Sequence, residues 1–216
     1  MPRRILRLIA LLWSGTLACV AVGADARAQA PATPSILRTG YAVVSGFSGT
    51  VVLDPAQRPK NEPTVDHTFI DLEGPSARIV DLTAPNAPRD GRLIEPPRTF
   101  DVRAKDVGQV FGIALDDAAE PNIYLAATSA FGLEIVRREA DGRLHRLHKG
   151  GPGAVWMPGQ FGLDLQGGPG AIYRIDGRTG AATLFADVRL DGVPNPATGL
   201  GNLAYDRDHE QLFASD

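Results

Sequence analysis

The sequence predicts an all-β protein made of antiparallel strands that recur as repeated units. Three observations carry this. First, a phrase occurs twice. Ile113-Ala114-Leu115-Asp116-Asp117, followed by Asn122-Ile123-Tyr124-Leu125-Ala126, is answered by Leu203-Ala204-Tyr205-Asp206-Arg207, followed by Gln211-Leu212-Phe213-Ala214-Ser215. Ala114 matches Ala204 and Tyr124 matches Phe213; a repeat of this kind implies units that bury their apolar faces against neighbours. Second, from Gly40 onward short runs rich in β-branched and aromatic residues are separated by glycine. Third, no convincing amphipathic helical period appears beyond the N-terminal segment.

The elements follow in order. Arg3, Arg4 and Arg7 precede an apolar stretch, Leu8 to Val22, too short to span a bilayer. Small residues come next, so residues 1–28 read as a signal peptide cut after Ala28 or near Ala24, with a periplasmic or secreted destination. Thr16-Leu17-Ala18-Cys19 loosely matches a lipobox, which gives the alternative of a lipoprotein anchored through Cys19. Cys19 is the only cysteine, so the processed chain has no disulfide and depends on packing. Residues 29–39 read as a flexible leader.

Residues 40–216 read as the folded part. A first unit supplies strands near 41–47, 49–53, 68–71 and 77–82. A Pro-rich connector, 83–100, follows, where Pro85, Pro88, Pro96 and Pro97 oppose both helix and central strand. A second unit supplies strands near 110–115, 122–127, 171–176 and 182–188. Its last two strands are joined by Asp176-Gly177 and Gly180, a hairpin signal. Between its second and third strands lies an insertion, 129–169, with a hairpin of its own: Leu133 to Glu139, a turn at Asp141-Gly142, then Leu144 to Leu147. A third unit begins at 200–205 and 211–215. Four short antiparallel strands per unit is the pattern of a β-propeller blade, and a closed ring needs ~4–8 blades. The chain holds about two and a half, so the sequence reads as the N-terminal part of a longer, here incomplete, propeller.

Composition bounds the function. The chain has 216 residues, 24 of them glycine and 17 proline, and a net charge of −3. That charge gives no electrostatic reason to expect a nucleic-acid partner, and no membrane span remains after signal cleavage. Gly150-Gly151-Pro152-Gly153 and Gly167-Gly168-Pro169-Gly170 lack the Lys-Ser/Thr ending and helix of a phosphate-binding loop.

Gly201-Asn202-Leu203-Ala204-Tyr205-Asp206 and Gln211-Leu212-Phe213-Ala214-Ser215-Asp216 resemble the six-bladed propeller superfamily, which includes NHL-repeat and gluconolactonase-like proteins. Gly108 to Asp117, Pro121 to Tyr124 and Gly168 to Gly177 resemble an uncharacterised subgroup of exported bacterial propellers. Gluconolactonase-like proteins hold a divalent metal at the propeller axis, so the resemblance implies Ca²⁺ or another divalent metal near Asn202 and Asp216. It also implies a metal-dependent lactone hydrolase as an alternative function. The chain departs from that pattern: the glycine after the asparagine is missing, and no early glutamate occupies a matching strand.

The residues themselves favour a plainer reading, with no cofactor or metal. Asn202 and Asp216 read as strand-end polar residues, and Asp116, Asp117, Asp206 and Asp208 as turn-shaping residues that accept backbone N–H bonds. His145 and His148, within a basic group on the inserted hairpin, sit on opposite faces of a strand at that spacing. Trp156, Met157 and Phe161 either cap the fold or line a pocket. The expected function is an exported binding or scaffold module for an unknown small molecule or protein, with its ligand face on the insertion. The catalytic residues, if any, are unknown.

Overall fold

The computed structural model describes residues 35–58, 60–61, 63–83, 96–128, 135–138, 144–147, 165–195 and 197–215. All belong to one compact unit, Thr33–Asp216. The expected signal segment, 1–28, and the first part of the leader lie outside the described residues. The end of the leader is ordered: Leu37 is buried, and the Ile36 N–H and Ser35 Oγ–H both donate to the Gly177 carbonyl.

The first part of the fold holds five strands: β1 (Tyr41–Ser45), β2 (Thr50–Val52), β3 (Thr68–Ile70), β4 (Pro75–Asp81) and β5 (Arg98–Arg103). They divide into a three-stranded antiparallel sheet, β1-β4-β5, and a separate β2–β3 ribbon. The sequence expectation of four strands in one sheet is therefore corrected here. The cause lies at residues 46–49. The Gly46 N–H donates to Ser76 O, which keeps β1 on β4. Ser48 is then drawn inward, its backbone N–H donating to Gln109 Oε1 and its hydroxyl bonded to the Gln109 amide. That buried anchor turns the chain out of the sheet before β2 starts. The vacant edge of β4 is filled by β5, which begins inside the segment expected to be a connector. Pro96 and Pro97 stand just before it, on an edge strand, where proline removes no ladder bond.

The second part matches the expectation closely. β6 (Val110–Leu115), β7 (Ile123–Ala127), β10 (Ala171–Ile175) and β11 (Ala182–Asp187) form one four-stranded antiparallel meander, ordered β6-β7-β10-β11. The insertion carries the foreseen hairpin, β8 (Ile135–Arg138) with β9 (Leu144–Leu147). A small ribbon, β12 (Arg189–Leu190) with β13 (Val193–Pro194), was not foreseen; Asp191 and Gly192 turn it with positive φ. The repeated phrase ends the chain as the hairpin β14 (Leu203–Asp206) and β15 (Gln211–Ala214). Helix among the described residues is limited to one turn, α1 (Ala104–Val107), and 3-10 turns at Pro55–Gln57 and Thr64–His67.

Side-chain alternation explains how these sheets stack. On β7, Ile123, Leu125 and Ala127 enter one core with Ala171, Tyr173 and Ile175 of β10; Ala77, Ile79 and Val102 of the first sheet pack against them. Tyr124 and Ala126 enter the other core with Ile172, Leu200 and Leu203, and Tyr205 and Leu212 pack on it. The four-stranded sheet is thus apolar on both faces, which is why its central strands read as continuous hydrophobic runs. It lies between the first sheet and the β14–β15 hairpin. Gly112 permits the closest approach: a Cβ there would lie 2.5 Å from Gly201 O and 3.1 Å from Leu203 N. The architecture is all-β, and this stack of antiparallel sheets is compatible with a partial β-propeller.

Candidate functional site

The residues expected to bind a metal are placed only in part, since Asp216 lies outside the described residues. Asn202 precedes β14 and is exposed. Its Oδ1 accepts the Leu203 N–H at 2.9 Å, its own N–H donates to Ser215 Oγ at 2.8 Å, and its carbonyl accepts the Ser215 N–H at 3.0 Å. The side chain is thereby committed to closing the start of a hairpin. Ca²⁺ takes six to eight oxygens, and among the described residues no group of three or more His, Cys, Asp or Glu could hold a metal ion. The described donors do not fit the divalent metal that the resemblance implies.

The aspartates after the repeated strands shape turns. Asp116 Oδ1 accepts the Asn122 N–H at 2.8 Å and the Ala118 N–H at 3.3 Å, while Oδ2 accepts from Asn122 Nδ2 and Tyr124 OH. Asn122 passes the constraint on: its Oδ1 accepts from Arg174 Nη2 and the Gly177 N–H. In the second copy Asp206 accepts the Asp208 N–H and pairs with His209 Nδ1 at 2.7 Å. That histidine contact is the main cause holding the Asp206 carboxyl below its ordinary pKa. Asp117 accepts from Tyr205 OH across the two units; burial first, then that carboxylate, push the Tyr205 hydroxyl pKa up. Asp208 contributes its backbone N–H to the turn. Of the inserted hairpin, His145 pairs in register with Arg137, whereas His148, Trp156, Met157 and Phe161 lie outside the described residues.

A groove that the sequence did not reveal lies at the seam between the first sheet and the β10–β11 turn. It encloses about 330 Å³ and is lined by Phe100, Asp101, Val102 and Asp106 on one side and by Gly180, Ala181 and Ala182 on the other. The turn that forms the second wall is fixed by Asp176, whose carboxylate accepts from the Thr179 N–H, the Thr179 hydroxyl and the Arg178 N–H. Those bonds, the Thr179 backbone donor foremost, hold the Asp176 carboxyl below its ordinary pKa. Gly180 has φ +74, and a Cβ on it would lie 2.3 Å from the Phe100 ring. Glycine is therefore required there, both for the turn and to leave room for the Phe100 ring.

The groove is acidic. Lys105 and Arg103 are both drawn to Glu73, at 2.9 Å for Lys105. These two cations hold the Glu73 carboxyl below its ordinary range, Lys105 first. Among the described residues neither Asp101 nor Asp106 has an ion-pair partner. Asp106 and the Phe100 ring thus line the groove, while Asp101, next to Phe100 on β5, turns its side chain to the opposite face, where Arg78 stands across from it in register. Only tertiary pairing brings β5 and the β10–β11 turn together, so no motif could have signalled it.

Comparison with protein-family models, curated proteins and solved structures returns no match. The architecture and the geometry above therefore carry the functional reading.

Proposed function

We propose that the chain is an exported binding module of the β-propeller type, kin to the NHL and gluconolactonase-like proteins, whose groove at the seam of two sheets takes a small organic cation. The supporting observation is the groove's chemistry. A protonated amine beside Asp106 gains a charge-assisted hydrogen bond, and its alkyl part lies against Phe100, where a cation is also attracted to the ring face. The walls belong to two sheets that share one core, so the groove is preformed, and little ordering cost opposes binding.

Calorimetric titration with putrescine, set against butanediol as the neutral analogue, tests this reading. Putrescine is expected to bind with an affinity that falls at least ~10-fold in Asp106→Asn, while butanediol does not bind. Equal affinity for the two probes, or no binding of either, overturns it. Export is tested separately: the mature N-terminus, sequenced from a periplasmic extract, is expected just after Ala28 or near Ala24. A protein recovered only from the cytoplasm with Met1 intact would remove that part of the reading.

A further inference from the structure

The sequence contains four Asp-Gly dipeptides, of which Asp90-Gly91 and Asp141-Gly142 lie outside the described residues. The other two sit in hairpin turns and are held very differently. At Asp176-Gly177 the carboxylate accepts from the Arg178 N–H, the Thr179 N–H and the Thr179 hydroxyl. The Gly177 N–H is also committed, donating to Asn122 Oδ1 at 3.2 Å. Gly177 is buried, and a Cβ there would lie 2.3 Å from Pro121 O. At Asp191-Gly192 both residues are exposed, and a Cβ on Gly192 would meet nothing within 4 Å. Among the described residues, neither the Asp191 carboxylate nor the Gly192 N–H has a hydrogen-bond partner. This turn closes only the β12–β13 ribbon, whose Leu190 and Val193 are 75% and 62% exposed. A two-stranded ribbon is marginally stable by itself, so its turn opens at little cost.

We propose that Asp191 is a modification site, where the chain converts spontaneously to isoaspartate through a succinimide, and that the fold spares Asp176. In the opened turn the Gly192 nitrogen bonds to the Asp191 Cγ. The OH of the protonated carboxyl leaves as water with the amide hydrogen, and a five-membered imide closes. Water then adds at one of the two imide carbonyls. Cleavage of the bond from nitrogen to Cγ restores aspartate. Cleavage of the bond from nitrogen to the main-chain carbonyl carbon leaves Gly192 joined through Cγ, beside a free α-carboxylate. No electrons are transferred, and water is the only other reactant. Glycine favours the step because no Cβ shields its nitrogen. At Asp176 the same ring closes only after three bonds to the carboxylate and one from the nitrogen are broken, so that turn converts far more slowly. The product lengthens the β12–β13 turn by one backbone carbon and disrupts the pairing of Leu190 with Val193, while the four-stranded sheet keeps its own contacts. None of this uses a ligand of the groove, so the inference stands apart from the cation-binding reading.

Peptide mapping of the whole chain, aged for several weeks in mildly acidic buffer, tests it. Electron-transfer fragmentation of the proteolytic peptides separates isoaspartate from aspartate although their masses are equal, and it reads each Asp-Gly site separately. In the folded chain, isoaspartate at residue 191 is expected to accumulate at least ~10-fold faster than at residue 176. Ageing in urea should bring the two rates together, because the difference belongs to the fold. Asp191→Glu is expected to show no conversion at that residue, since its ring would need six members. Equal rates at the two residues of the folded chain overturn the proposal. So does an Asp191 that stays intact, or a difference that persists undiminished in urea and therefore comes from the neighbouring sequence alone.

Discussion

Gly112→Ala is the sharpest test of how the repeated units pack. The backbone at Gly112 is not in the left-handed region, so alanine meets no conformational penalty and the whole effect is steric. Its Cβ would lie 2.5 Å from Gly201 O, 3.1 Å from the Asn202 Cα and 3.1 Å from Leu203 N, all backbone atoms of the next unit. Ordinary contact starts at 3.4 Å, so β6 and the segment entering β14 must separate by roughly 0.9 Å. Backbone cannot rotate aside as a side chain does. The gap also loosens the core shared by Ala114, Tyr124, Leu200 and Leu203. Overpacking of this kind costs about 1–3 kcal/mol, and a domain of this size loses ~2–4 °C in Tm per kcal/mol. Thermal melts followed by circular dichroism should therefore show a Tm lower by ~2–12 °C. Gly46→Ala is the control: a Cβ there meets nothing within 4 Å, and the change is expected to be neutral or slightly stabilising through the unfolded chain. Equal melts for Gly112→Ala and Gly46→Ala would refute the close packing of the two units.

Three further outcomes follow from the turns and the strand ends. Asp116→Ala removes the acceptor of four donors around the β6–β7 turn and should cost ~1–3 kcal/mol by chemical denaturation; an unchanged midpoint would show that water replaces the carboxylate at no cost. Glu73, Asp81, Asp176 and Asp206 all have folded pKa values below their ordinary ones, so each favours the folded state fully above its ordinary value of 4.5 or 3.8 and loses that contribution as pH falls through the lower folded value. Tm should drop on acidification below that range, less steeply in Asp176→Asn; a Tm that rises with acid contradicts the sign. Ca²⁺ in excess should leave Tm unchanged, since a ligand that binds only the folded state must raise it; a rise that Asn202→Ala abolishes would restore the metal site and the lactone-hydrolase reading with it.

How far the sequence disclosed the fold depended on how each strand is buried. β6, β7, β10 and β11 were readable to within a residue or two because three of them carry apolar residues on both faces and each is bounded by a turn residue with a physical role, Asp116, Asp176 or Gly180. The repeat supplied the β14–β15 pairing directly, since matching Ala204 to Ala114 and Phe213 to Tyr124 fixes the register. The first unit was misassembled because pairing there is decided by distant groups. β2 looks like the natural partner of β1 from its short glycine turn, but Ser76, Gln109 and Phe111 claim the backbone and the hydroxyls of residues 45–48. A buried glutamine sixty residues away leaves no local trace. β5 was hidden for the opposite reason: its prolines argue against a central strand, and the strand is an edge.

The candidate site was less legible than the fold for a related reason. Asn202 and the repeated aspartates stood out as polar groups at strand ends, and the structure uses the described ones to hold turns closed, the same property that made them conspicuous. Asp101 and Asp106 carry no motif and no repeat. What distinguishes Asp106 is the company it lacks, because Glu73 captures Arg103 and Lys105, whereas Asp101 stands opposite Arg78 in register. A carboxylate is free to meet a ligand when the cations around it are spent elsewhere, and such an allocation is settled by three-dimensional neighbours rather than by sequence spacing. If Glu73→Gln releases Lys105 and Arg103, one or both can swing to Asp106, one residue on from Lys105, and putrescine affinity should fall although no groove residue has changed. Unaltered affinity in Glu73→Gln would mean that the acidity of the groove does not depend on that allocation.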